Sequence, residues 1–137
     1  MTNVEIVREM LRAIEDRNGE ALAAVYHPDV EFIWPPELPG YGGTHRGWDE
    51  VVAMGYAFTE LWDPRQPTSE WRDLRFRIIA AQGDSVVVHY HQRGVDASGR
   101  TCDCEVLAHY ELEAGKVRRL QMHYLDPSAV RDFLTAS

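Results

Sequence analysis

The chain of 137 residues (15.7 kDa) has the length of one domain, and its 22 acidic residues against 14 basic ones give a formal charge of −8. That balance repels a phosphate backbone and no cluster of Lys and Arg offsets it, so no nucleic-acid partner is expected. No apolar run nears the roughly 18 residues of a membrane span, and Met1-Thr2-Asn3-Val4-Glu5 shows no signal-peptide pattern, so no membrane contact and a cytoplasmic location are expected.

Thr2 and Glu5 are spaced as a capping box, and Val4, Val7, Leu11 and Ile14 then recur on one helical stripe. Asn18-Gly19 is expected to stop this first helix, because both residues tolerate the left-handed conformation of a C-cap. A short second helix carries Leu22, Val25 and Tyr26 on one face and should end at Pro28. Val30, Phe32 and Trp34 alternate with Glu31 and Ile33 as a strand closed by Pro35-Pro36. Residues 35–47 hold three prolines and four glycines and read as a loop with fixed bends. A third helix starts near Gly47, with Trp48, Val51, Val52, Phe58 and Trp62 at helical spacing, and ends at Asp63-Pro64.

The remainder is mostly strand. Leu74, Phe76, Ile78 and Ala80 form one inward series, and Val86, Val88 and Tyr90 form a second after the turn at Gly83-Asp84. Cys102, Cys104, Val106, Ala108, Tyr110 and Leu112 form a third. The two cysteines share a face, but a bridge between them would strain the backbone, so they read as small core residues in a reduced protein. After the turn at Gly115, the last strand has two readings. Counted from Gly115, Leu120, Met122 and Tyr124 face inward; counted back from Asp126, His123 does. One surplus residue between those points calls for a bulge, whose position the sequence leaves open. Asp126-Pro127 then opens a short final helix with Val130, Phe133 and Leu134 on its apolar face. Three helices followed by a meander of antiparallel strands predict an α+β fold, in which a strongly curled sheet is closed by the helices into a cone with one apolar pocket.

Tyr26-His27-Pro28-Asp29-Val30-Glu31-Phe32, His45-Arg46-Gly47-Trp48, Gly83-Asp84-Ser85-Val86-Val87-Val88, Ala114-Gly115-Lys116-Val117 and Tyr124-Leu125-Asp126, in this order and spacing, resemble the SnoaL-like polyketide cyclase branch of the nuclear-transport-factor-like superfamily, whose fold is a cystatin-like cone. The resemblance covers essentially residues 1–137 as a single domain. The superfamily includes isomerases, cyclases, epoxide hydrolases, dehydratases and non-catalytic modules, so fold alone does not choose among them. The ketosteroid isomerase set fails residue by residue. Its base would fall near Trp34, its protonated carboxyl near Ala108 and its tyrosine near Leu11 or Arg12.

The cyclase branch implies a cofactor-independent reaction using a histidine on the penultimate strand and a carboxylate on the last. His109 stands at the first position and His123 replaces the carboxylate; imidazole can serve as acid or base near neutrality. His123, His109 and Asp126 are therefore the candidate catalytic residues. Trp34, Tyr56, Phe58, Trp62, Val88, Tyr90, Tyr110, Met122 and Tyr124 are the candidate walls of a pocket for a small apolar, ring-containing molecule. The alternative is a non-catalytic hydrophobic-ligand-binding or dimerisation module of the same fold.

His89 and His91 share one face of a strand, a spacing that suits zinc or iron when a third ligand is present. Gly83 followed after five residues by His-Tyr-His half-matches a cupin motif, but no glutamate stands four or five residues past His91. No metal is assigned on this basis. Arg93 and Asp96 resemble an epoxide hydrolase pair at the wrong spacing. Arg75, Arg77, His89, His91 and Arg93 on the convex sheet face, where relatives commonly pair, imply a homodimer.

Overall fold

The computed structural model describes residues 1–135. Its elements are α1 (Asn3–Glu15), α2 (Gly19–Val25), β1 (Tyr26–Trp34), β2 (Gly43–Arg46), α3 (Trp48–Trp62), a 3-10 turn (Asp63–Arg65), α4 (Ser69–Arg72), β3 (Arg77–Gln82), β4 (Ser85–Val95), β5 (Thr101–Glu113), β6 (Lys116–Tyr124) and α5 (Pro127–Thr135). The strands form one sheet in the order β2-β1-β6-β5-β4-β3, antiparallel except for the β1–β6 pair. The sheet is open, with β2 and β3 at its edges, rather than strongly curled.

Thr2 caps α1, its hydroxyl accepting the Glu5 N–H at 3.1 Å. The helix does not end as expected. Arg17, not Asn18 or Gly19, takes the left-handed conformation (φ 54°), and the N–H groups of Arg17 and Asn18 close on the carbonyls of Ile14 and Ala13. Asn18 is thereby freed to cap α2, accepting the Ala21 N–H at 3.1 Å. Pro28 lies inside β1, not at the end of α2, at an irregularity of the β1–β6 pairing where a missing N–H costs no ladder bond.

The 35–47 loop contains a strand the sequence did not signal. Gly43–Arg46 has no apolar alternation; it is extended because it pairs with β1, Glu31 opposite Arg46 and Trp34 opposite Gly43. Arg46 (2.7 Å) and Arg119 on β6 (3.2 Å) bracket Glu31. Their hydrogen bonds hold its carboxyl below the usual range. β3 is shorter than expected, because Arg75 is left-handed (φ 49°) and a bulge between Ile78 and Ala80 leaves Ile79 exposed.

In β4 and β5 alternate side chains are buried on one face. Val86, Val88, Tyr90 and Gln92 are matched by Cys104, Val106, Ala108, Tyr110 and Leu112. The bulge of the last hairpin is at Arg118. Glu111 pairs with Arg119 and Leu112 with Val117, so Val117 and Leu120 both point inward although three residues apart. Leu120, Met122 and Tyr124 consequently face in and His123 faces out.

Gly42 sits where a side chain has no room. A Cβ there would lie 2.4 Å from the Leu38 carbonyl oxygen and 2.8 Å from that of Pro35. Gly42→Ala is expected to cost about 1–3 kcal/mol or more, since backbone rather than a flexible side chain must move. Urea denaturation of the variant against the parent chain measures this.

Candidate active site and ligand cavity

Trp34, at the end of β1, is held on both faces. Its indole stacks on Phe32 (centroids 5.3 Å, planes 8° apart) and on Phe58 of α3 (5.7 Å, 26°), and its N–H donates to the Met54 sulfur at 3.2 Å. Behind it lies a closed polar chain inside the core. The Trp62 N–H donates to the Tyr41 hydroxyl at 3.0 Å, and the Tyr41 and Tyr124 hydroxyls share a hydrogen bond at 3.3 Å. In front of Trp34 a cavity of about 380 Å³ opens to solvent. Ile14 and Leu22 close one side and Met54, Gly55, Phe58 and Thr59 another; Tyr26, Phe32, Trp34, Tyr90, Gln92 and Met122 form the sheet-side floor.

Two polar features interrupt this apolar lining. At the mouth, Arg17 pairs with Asp63 (2.8 Å), donates to the Ile14 carbonyl (3.1 Å) and bonds Gln66. Gln66 in turn donates to the Arg93 carbonyl at 2.7 Å. Deeper in, Gln92 is only 3% exposed, and among the described lining residues it supplies the one side-chain amide. A side-chain amide offers both donors and an acceptor, so this one is suited to a polar group of a ligand in the cavity.

Burial pushes the phenol of Tyr26 upward, and burial first, then neighbouring Tyr41, does the same for Tyr90. Both stay neutral at physiological pH. Tyr90 donates weakly to the Met122 sulfur at 3.6 Å.

The cavity includes Trp34, Phe58, Tyr90 and Met122 of the expected walls. The other five expectations are corrected. Tyr56 is 74% exposed, because it lies on the outward side of α3. Trp62, Val88, Tyr110 and Tyr124 face inward as the alternation requires, but they are fully packed in the core and do not line the cavity.

His109 and His123 project from the opposite face of the sheet, opposite Gln121 and Leu107 respectively, and the sheet separates both rings from the cavity. His109 lies 3.9 Å from Glu111. Asp126 caps α5, accepting the Ala129 N–H at 3.0 Å, beside a separate cleft that also holds Cys102 and Cys104. Burial raises both thiols, Cys102 to about 11. The sequence reading missed Arg17, Asp63 and Gln92. Only Gln92 left a trace, as a polar residue two positions past Tyr90 on the inward series.

The sequence pattern of the SnoaL-like domain matches residues 7–120. This chain belongs to the SnoaL-like domain family. No curated protein matches it by sequence. Among solved structures, the SnoaL-like chain is similar to a protein of unknown function with a cystatin-like fold from Xanthomonas campestris (22% identity, 98% of each chain, TM-score 0.79). It is also similar to TerC co-crystallised with polyporic acid (22%, 98% of each chain, 0.76). A third is a putative SnoaL-like polyketide cyclase from Jannaschia sp. CCS1 (20%, 98% of this chain and 92% of that one, 0.67). These likenesses show that the SnoaL-like fold is shared.

Five of the six tyrosines (26, 41, 90, 110 and 124) have phenols raised by burial, Tyr41 to about 12. Raised folded values mean that their contribution to stability is complete below the unfolded value of 10.0 and is lost as pH rises past it. Ultraviolet titration of the folded protein to pH 10 is therefore expected to show less than about one phenolate, with the remainder appearing together as the chain unfolds at higher pH.

Proposed function

We propose that the protein binds a flat, ring-containing, mostly apolar small molecule in the cavity beside Trp34, with a polar group of the ligand meeting Gln92. The single observation that carries this reading is the side-chain amide of Gln92, a residue only 3% exposed, on the floor of a cavity walled mostly by aromatic and aliphatic side chains. The co-crystal of TerC with polyporic acid supports it as the case of a similarly folded protein.

Polyporic acid is a suitable probe. Trp34 lies in the cavity wall, so saturable quenching of tryptophan emission is expected on titration. A Cβ at Gly55, in the same wall, would meet nothing within 4 Å, so a larger side chain can start there and Gly55→Phe serves as a plug. It is expected to abolish quenching, while Gln92→Leu weakens binding roughly 5- to 150-fold, the equivalent of about 1–3 kcal/mol. Equal binding by parent and both variants would overturn the reading.

A cofactor-independent acid–base enzyme is the second reading, and one observation favours it: the Asp63 carboxylate lines the same cavity as the neutral phenols of Tyr26 and Tyr90. A carboxylate can accept a proton while neutral phenols donate to an oxygen that gains charge. In that chemistry Arg17 orients Asp63 through their 2.8 Å pair, and His109 and His123 have no access to the ligand. Asp63→Asn would then lower turnover by about 10²–10⁴-fold and leave probe binding intact. Turnover that followed His123→Ala instead would refute the assignment. A homodimer through the outer sheet face belongs to the same proposal; a monomer alone in sedimentation at micromolar concentration counts against it.

A further inference from the structure

We propose that the outer face of β4 and β5 carries a binding site for one divalent transition-metal ion of the zinc type, formed by His89, His91 and Glu105. It is separate from the cavity, with the sheet between them. His89 and His91 are two residues apart on β4 and point the same way, with ring centroids 5.2 Å apart. The third ligand comes from the neighbouring strand, because the antiparallel register puts Glu105 directly opposite His91. One ligand atom from each of the three residues lies within 4.8 Å of the others. The shortest edge already fits: His89 Nε2 is 3.0 Å from Glu105 Oε1, against roughly 3.3 Å between neighbouring ligands in a tetrahedron with bonds of about 2.0 Å.

The surroundings prepare the set for a cation. His91 Nδ1 is hydrogen-bonded to Asp103 Oδ1 at 2.8 Å. That contact puts the ring proton on Nδ1 and leaves Nε2 as a lone-pair donor, the carboxylate–histidine arrangement that orients metal-bound imidazoles. Asp103 is itself steadied by Arg93 at 3.8 Å, and Arg93 also donates to the Glu70 carbonyl at 3.0 Å, so this guanidinium is engaged away from Glu105. His89 Nε2 donates to Glu105 in the metal-free chain, so an ion bound there would displace that proton; Nδ1 of the same ring is buried with no partner among the described residues. Glu105 is half exposed in the single chain, which leaves a fourth position open to water there or, in a homodimer through this face, to the partner subunit. Two imidazoles and a carboxylate favour zinc and its first-row neighbours over calcium or magnesium.

The test uses metal-free full chain, titrated with zinc chloride by calorimetry and with cobalt(II) by visible absorption. One equivalent per chain is expected, with cobalt bands of tetrahedral intensity. His91→Ala and Glu105→Gln should each weaken binding at least about tenfold, and Asp103→Asn by about 10- to 100-fold, the usual effect of losing such a supporting carboxylate. His109→Ala and His123→Ala, on the same face but outside the site, should change nothing. Glu105→Gln keeps the side-chain shape and guards against a loss that merely reports misfolding, which circular dichroism checks in every variant. Absence of saturable binding, or binding that survives His91→Ala combined with Glu105→Gln, overturns the proposal.

Discussion

The molecule depends on a strict alternation along β4, β5 and β6. Each of these strands sends every second side chain toward the helices, and the surplus residue of the last hairpin is taken up at Arg118. A slip of one position in β6 would carry Leu120, Met122 and Tyr124 into solvent and bring His123 into the core. Three large apolar groups would be exposed and an imidazole desolvated, a penalty of several kcal/mol. The register that keeps the core dry therefore also decides that the histidines of the last two strands belong to the outside of the protein.

The same parity does not by itself make a cavity; that requires one half of the inner face to be filled and the other left open. The filled half is secured by Trp62, Tyr41 and Tyr124, whose polar atoms bond one another within the core. It is backed by Phe133 of α5, whose ring centroid lies 6.0 Å from that of Trp62. Gly94 allows this approach, because a Cβ there would stand 3.1 Å from Trp62 and 3.3 Å from Phe133. Where the packing stops, Trp34 presents its edge of the aromatic stack to the opening, and the Arg17–Asp63–Gln66 cluster fixes the far rim by joining the end of α1 to the segment after α3.

Much of the frame was legible because helical and strand periods are written in single residues. The stripe Val7–Leu11 and the inward series Val86-Val88-Tyr90 both lie where the period put them. β2 was not legible, since a four-residue edge strand is extended by its partner and not by its own composition. The surplus residue of the last hairpin could be counted but not located, because its place depends on pairing with β5. The site was harder still. Arg17 and Asp63 are 46 positions apart and meet only in the folded chain. Glu105 becomes a neighbour of His91 only through the ladder. Tyr56 failed as a cavity residue because it lies off the apolar stripe of α3, and Trp62, Val88, Tyr110 and Tyr124 failed because periodicity shows which face is inward but not where packed core gives way to open space.

β4 is a two-sided element: Tyr90 and Gln92 serve the cavity while His89, His91 and Arg93, interleaved with them, serve the outer face. Since neighbouring residues never share a face, either surface can change its chemistry by substitution without altering the backbone or the other surface. A lineage built on such a strand can exchange its ligand, or its outer contacts, in small steps that keep the molecule folded throughout.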